Sequence, residues 1–327
     1  MKRAGRPRVT IVTPFTATAN NGNWHTAARW ASFLGRHCRV DIEQSWSNSP
    51  CDLLIALHAG RSADSIRRFA TAHPDRPLVV VLTGTDLYRD LADSHEARHS
   101  LELATRLVVL NELGPRRLPH HVRGKTEVIL QSARALRAAR RPTRYFAIAV
   151  VGHLREEKNP RLVWALLRRL PTDVPFVVRH AGAALDADLE QEARAAMADS
   201  RYRWLGGLSR SRAREVIRTS HLLLHPSSME GGAQAVIEAV RSHTAVLASG
   251  IDGNAGLLGE DYEGLFAEND VDSACELVLR AARQPRFLGR LRRQCEGRAP
   301  LFGPQHECAK LLGLVDNCLL RSKAGTR

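Results

Sequence analysis

In the segment SSMEGGAQAVIEA two glutamates, Glu230 and Glu238, stand eight positions apart, and a glycine pair follows the first. The apolar run from His221 to His225 leads in, and Pro226-Ser227-Ser228 punctuates the join. The segment therefore reads as strand, loop and a helix opening near Gly232. At such a junction the free N–H groups of Gly232, Ala233 and Gln234, just past the Gly231 turn, share the positive end of the helix dipole. That is a seat for phosphate. Glu238, two turns into the helix, can accept hydrogen bonds from paired sugar hydroxyls, while Glu230 in the loop reaches what hangs beyond the phosphates. By itself the pair is equally compatible with surface charges beside a tight turn.

A second motif lies upstream. VVGHLREEKNP, Val150 to Pro160, is a buried strand, a glycine turn and then basic residues at a helix start. The interval between the motifs is roughly three β–α units. Three further loops carry polar groups at strand ends. The first contains Asn21-Gly22-Asn23, where Gly22 lets the backbone approach a ligand closely. The second follows DLLIAL and offers His58 and Arg61. The third follows PLVVVL and offers Thr83, Gly84, Thr85, Asp86 and Arg89. In an open parallel sheet, ligands sit outside the carboxyl ends of the strands, where all three loops fall. A satisfied core histidine at His58 and a helix N-cap at Asp86 are the plain structural alternatives.

The elements that position these residues are legible as alternation. VTIVTPF is strand-like and WHTAARWASFLGRH an amphipathic helix. CDLLIALHA, PLVVVLTGTD, RLVVLN and TEVILQSA supply later strands, separated by Arg- and Ala-rich helical runs. The pattern restarts at YFAIAVVGH and continues through PFVVRHAG, HLLLHPSS, TAVLAS and GLLGED. Continuous apolar strands alternating with helices predict parallel, doubly wound sheets. RALRAARRPTRY has no strand pattern, which places a linker at about residues 134–144.

Composition narrows the function classes. The chain has 327 residues, 44% of them hydrophobic and 25% charged, enough for two domains with cores of their own. No apolar stretch approaches the ~20 residues that span a bilayer. The basic start MKRAGRPR is followed at once by a strand-like run unlike a signal h-region, so the expected compartment is the cytoplasm, with no membrane insertion. The six cysteines form no CxxC pair and show no zinc-like spacing; free buried thiols are expected, and no metal site. The formal charge of +14 is spread along the chain, with no basic tract and few aromatics for base stacking. Acidic small substrates use the same field, and no nucleic-acid partner is expected.

Together, VGxL…EKNP and SSMEGG…EA resemble the C-terminal half of the GT-B glycosyltransferases of family 4, which take their sugar from a nucleotide. The resemblance implies an α/β protein of GT-B fold, with two Rossmann-like doubly wound parallel-sheet domains facing a central cleft. The domains would span 1–138, on the acceptor side, and 139–301, binding the nucleotide sugar. In the family the last helix, here 302–327, crosses back onto the first domain. Carried over by position, Lys158 holds the diphosphate, Glu230 the donor sugar and Glu238 the ribose. Gly152, Leu205 and the Gly231–Gln234 turn line the donor site. Where the family has Gly-Arg this chain has Gly152-His153, so either His153 or Arg155 supplies the second cation.

GNWHT, LLIALHAGRSA, LTGTDLYRDL, SLELATRLVVLN, RYRWLGGL and GLLGEDYEGLF extend the resemblance over roughly residues 8–320, toward the selenosugar synthases of selenoneine biosynthesis. That branch joins selenophosphate to a UDP-sugar, chiefly UDP-N-acetylglucosamine, forming a carbon–selenium bond. On this resemblance Gly22, Asn23, Arg61, Thr85, Asp86 and Arg89 hold the acceptor, and His58, Lys158 and Glu230 are the catalytic candidates. The loop reads GNWHT where the branch is expected to carry a basic residue after Gly-Asn. No Asp-x-Asp stands at a strand end, so neither a metal nor another cofactor is expected. A family 4 enzyme with a hydroxyl acceptor, a UDP-sugar epimerase and, last, a basic nucleic-acid-binding protein are the alternatives.

Overall fold

The computed structural model describes residues 6–15 and 22–325. It falls into two units, Met1–Gln131 with Pro304–Arg327, and Ser132–Gly303. No helix among the described residues is long and apolar enough to cross a membrane.

The first unit holds a six-stranded parallel sheet: β1 (Arg8–Val12), β2 (Arg39–Glu43), β3 (Leu53–Leu57), β4 (Leu78–Leu82), β5 (Arg106–Val109) and β6 (Thr126–Val128), in the order β2-β1-β3-β4-β5-β6. Strands covered on both faces must be apolar throughout, and every residue of Leu53–Leu57 and of Leu78–Leu82 is buried. Successive side chains of β3 serve opposite faces. Leu54 and Ala56 pack with Ile66, Phe69, Ala97 and Leu101 on one side. Leu53, Ile55 and Leu57 pack on the other with Trp30 and Leu34 of the helix Gly22–Leu34, and with Leu311, Leu314 and Val315 of the helix Pro304–Gly325. The last helix thus belongs to the first unit. It is held there by Glu307, fully buried, which accepts from Arg29 Nε at 2.8 Å and from Trp30 Nε1 at 2.8 Å.

The second unit repeats the plan with β7 (Phe146–Val151), β8 (Phe176–Ala181), β9 (Tyr202–Trp204), β10 (Leu222–His225), β11 (Ala245–Ser249) and β12 (Leu265–Phe266). All pairings are parallel, in the order β12-β11-β10-β7-β8-β9. The order reverses between β7 and β10, neighbours through Leu222 and Ile148. Their carboxyl ends are the switch point, where doubly wound sheets bind ligands.

Two expectations need correcting. GLLGED is not a strand: Asp252–Leu258 is a helix, with Gly253 to Leu258 all buried. A short apolar run does not distinguish a buried helix from a strand, and here the helix lies against the Glu230 backbone. The TEVILQSA strand pairs only over Thr126–Val128.

Candidate functional site

The switch point places the two chemical motifs of the second unit side by side. After β7 the chain turns at Gly152-His153, makes a 3-10 turn over Glu156–Lys158 and enters the helix Pro160–Arg169 through Asn159, which adopts φ +48°. After β10 it runs through Pro226–Ala233 into the helix Gln234–Val240. That helix opens two residues later than Gly232, and no side chain caps its first turn.

Across this junction Lys158 Nζ lies 2.5 Å from Glu230 Oε1. The same oxygen is 2.9 Å from His225 Nε2, and Ser227 Oγ is 3.3 Å from that nitrogen. Glu230 is 8% exposed. Burial alone raises a carboxyl pKa, but Lys158 and His225 outweigh it and hold Glu230 ionised below the usual range. A buried chain continues beneath: the Ser249 hydroxyl donates to Ser227 O, and Asn254 Nδ2 donates to Ser249 O at 3.0 Å. Gly253 completes the support, because a Cβ there would come within 1.9 Å of Glu230 O.

Glu238 is also buried and also paired. Its Oε1 accepts from Arg210 Nε at 2.8 Å and from Gln234 Nε2 at 3.3 Å. No hydrogen bond to Oε2 is formed among the described residues, so one oxygen is anchored and the other is open.

The glycine turn is fixed from below. His180 Nε2 lies 3.2 Å from Gly152 O, while Nδ1 lies 2.8 Å from the Tyr202 hydroxyl. Burial pushes the His180 pKa down to about 4, so the ring is neutral, with Nε2–H assigned as donor to Gly152. Gly182 must lack a side chain, since a Cβ would sit 1.8 Å from Gly152 O. His153 Nδ1 accepts the Ala183 N–H at 3.1 Å, a bond that only an unprotonated Nδ1 makes. Held this way, His153 has its Nδ1 engaged by the backbone. Arg155 is exposed, 4.0 Å from Glu157. Leu205, 38% exposed, is tied to the same end of the sheet by its N–H, which donates to His180 O at 2.8 Å.

In the first unit the loops after β3 and β4 are bound together. Asp86, fully buried, accepts from Thr83 N–H and Gly84 N–H at 2.8 Å and from Ala59 N–H at 3.0 Å. His58, at φ +74° and 2% exposed, takes the Arg61 N–H on Nδ1 at 3.2 Å and lies 3.0 Å from Thr85 Oγ1 through Nε2. Both residues order the two loops. Arg61 and Arg89 are exposed; the Arg61 guanidinium sits 5.0 Å from the Phe15 ring centroid and Arg89 Nε 3.2 Å from Asp90. Gly22 and Asn23 open the helix Gly22–Leu34, and Thr26 donates its hydroxyl to Gly22 O at 2.8 Å. Asn21 lies outside the described residues.

His225, Ser227, Arg210, His180 and Asn254 were not singled out in the sequence. His225 and Ser227 flank Pro226 in the motif itself, and their polar side chains at a strand end were the available signal. Arg210 carried none, because only the fold brings it to Glu238. Asp-x-Asp occurs at Asp186–Asp188 and Asp270–Asp272, and in both the first aspartate caps a helix. Among the described residues no group of three or more His, Cys, Asp or Glu side chains is placed to hold a metal ion. The six cysteines are free, five of them buried.

Residues 132–300 match the family model of the group 1 glycosyl transferases. No curated protein sequence matches the chain. Among solved structures, Anabaena Alr3699/HepE in complex with UDP and glucose aligns with a TM-score of 0.75 at 14% identity, over 95% of this chain and 100% of that one. Sucrose-phosphate synthase from Thermosynechococcus elongatus gives 0.79 at 13% identity, over 95% and 99%. A glycosyltransferase from Rickettsia africae gives 0.70 at 11% identity, over 97% and 99%. At such identities the likeness concerns the fold, which is GT-B.

Proposed function

Because this chain belongs to the group 1 glycosyl transferases, we propose that it moves a sugar from UDP-N-acetylglucosamine, or a related UDP-sugar, to selenophosphate and releases UDP. The observation that carries the donor side is the meeting of Lys158 and Glu230 at the switch point, with Glu238 presenting an open oxygen nearby in the same helix–loop segment. The HepE structure with UDP-glucose supports a UDP-sugar as donor. The sequence motifs of the first unit support selenophosphate as acceptor.

In this reading the diphosphate lies over Gly231–Gln234, where the uncapped helix start supplies N–H groups and positive potential. Lys158 turns from Glu230 toward the diphosphate and stabilises the charge that grows on departing UDP, the kind of electrostatic term that commonly dominates catalysis. Glu230 then holds sugar hydroxyls, with His225 keeping its carboxylate in place. His153 donates through Nε2, and Arg155 supplies the second cation. The bond from the anomeric carbon to the diphosphate oxygen breaks with its electron pair going to UDP, and selenium supplies the pair for the new carbon–selenium bond. A low-pKa selenium needs no strong base. Arg61 and Arg89 gather the anion, while Asn23 and Thr85 orient it. His58 and Asp86 keep those loops in register. No metal enters this scheme.

The test is incubation with UDP-N-acetylglucosamine with and without selenophosphate, following UDP by chromatography. UDP that appears only with selenophosphate supports the proposal. UDP that requires a hydroxyl acceptor instead would reassign the acceptor, and a new sugar epimer without UDP would make the protein an epimerase.

A further inference from the structure

At the amino ends of β7 and β10, away from the Glu230 loop, two arginines of the second unit bond Ser220, and a third stands within electrostatic reach of His221. Arg141 donates from Nε to Ser220 O at 2.8 Å and from Nη2 to His243 O at 2.6 Å. Arg179, in β8, donates from Nη2 to the Ser220 hydroxyl at 2.7 Å and to Val216 O at 3.1 Å. Arg292, in the helix Pro285–Arg298, is half-buried and makes no hydrogen bond among the described residues; its Nε, like that of Arg179, is buried without a partner.

None of the three guanidinium groups forms an ion pair among the described residues. The acids within electrostatic reach are otherwise engaged: Glu215 is bound to Arg218 at 2.7 Å and Glu296 lies 3.4 Å from His243. The His221 imidazole sits in the middle of this charge. It accepts the Ala147 N–H on Nδ1 at 3.0 Å and stacks on Phe146 at 4.8 Å. Burial, then Arg141, Arg292 and Arg179, push its pKa down to about 4. Burial and the neighbouring Arg292 lower even the Arg141 guanidinium, to about 10. Half-burying three like charges without a counter-charge is costly, and an anion that joins them offsets that cost.

We propose that this end of the second unit is a binding site for a small polyvalent oxyanion of the phosphate class, held by Arg292 and Arg141 with Arg179 behind them. Guanidinium matches phosphate in geometry as well as charge, and Arg141, whose Nε and Nη2 are held by carbonyls, still has Nη1 to offer alongside Arg292. The half-buried setting favours a small free anion over a membrane surface or a nucleic-acid backbone. The site is separate from the donor loops, at the opposite end of the same sheet, and does not depend on the identity of the sugar or the acceptor.

Inorganic pyrophosphate is the probe, titrated by calorimetry into protein whose donor site is filled with saturating UDP, and again into Lys158→Ala. Binding is expected in both, with chloride at matched ionic strength giving none. Arg292→Gln should weaken it at least tenfold, about 1.4 kcal/mol, and Arg141→Gln should do likewise. Because Arg292 makes no hydrogen bond among the described residues, Arg292→Gln should keep or raise the melting temperature without anion and lose the rise that pyrophosphate gives the wild type. That pairing of signs separates a ligand site from a structural cluster. The inference is overturned if UDP-loaded protein binds no pyrophosphate, or binds it equally well in Arg292→Gln and Arg141→Gln. Arg292-dependent binding of phosphatidylglycerol vesicles without pyrophosphate binding would also overturn it.

Discussion

Lys158 Nζ and Glu230 Oε1 are 2.5 Å apart although 72 residues separate them in the chain. The pair joins the loop that follows the first strand of the second sheet to the loop that follows its fourth. Each charge satisfies the other, and under the proposed function a donor exchanges this contact for contacts to diphosphate and sugar. The contact holds the Lys158 side chain at the mouth of the switch point.

Lys158→Ala should lower turnover more than it raises the Michaelis constant for donor, since the ammonium is most useful when UDP departs. Lys158→Arg should restore part of the rate, because a planar fork does not reproduce a flexible point charge. His153→Ala should be milder than either. Steady-state kinetics decides; unchanged turnover in Lys158→Ala removes the residue from the mechanism.

Glu238→Ala should weaken UDP binding by about 1.5–3 kcal/mol, the usual worth of hydrogen bonds to a charged group. Arg210→Ala leaves the carboxylate present but less well oriented, and its side chain is 37% exposed. Its cost should stay within about 1 kcal/mol. Calorimetry with UDP on both variants checks the order; an Arg210 effect larger than that of Glu238 contradicts the assignment.

The buried neutral His180 makes stability depend on pH. Its folded pKa is about 4, against 6.5 ordinarily, so as pH falls the unfolded chain takes up this proton first. The contribution is therefore complete above the ordinary value and lost between the two, by roughly 3 kcal/mol. Urea unfolding of wild type and His180→Gln from pH 7 to 4 should show the wild type's advantage shrinking as pH falls. A constant difference would mean that His180 protonates freely.

Gly182→Ala should cost about 1–3 kcal/mol through overpacking and should also weaken UDP binding, because the added methyl displaces the Gly152 carbonyl. Gly124→Ala, where nothing lies within 4 Å of the added carbon, is the matched control. Unfolding midpoints and UDP titrations of the two variants give the comparison.

Activity should survive EDTA and gain little from Mg²⁺ or Mn²⁺ if Lys158 and the uncapped helix start carry the diphosphate charge. Activity abolished by chelator and restored by metal would contradict this.

The inner strands of both sheets were legible in the sequence because parallel strands buried on two faces must be apolar throughout, as Leu53–Leu57 and Leu78–Leu82 are. Arg39–Glu43, Tyr202–Trp204 and Leu265–Phe266, short or half-exposed and at the sheet edges, were not read as strands. Lys158 and Glu230 were legible as separate motif residues, but their contact was not, since it follows from the reversal of strand order between β7 and β10. Arg210 was invisible for the same reason. GLLGED misled because its leucines are buried in a helix, and burial erases the periodicity that tells helix from strand. The start of the helix at Gln234 depends on the local conformation of Ala233, which composition does not specify.

The helix Pro304–Gly325 carries a further consequence, for the order of events at the ribosome. Arg29 and Trp30 emerge long before Glu307, which both of them bond. The apolar face that Leu311, Leu314 and Val315 cover stays open until then. The second unit, continuous in sequence from Ser132 to Gly303, has every residue it needs before the first unit does. Nascent domains ordinarily mature from the amino end onward. Here the unit that starts first finishes second, and a chain that terminates after Gly303 releases it with a buried carboxylate missing and one face of its sheet covered only by the helix Gly22–Leu34.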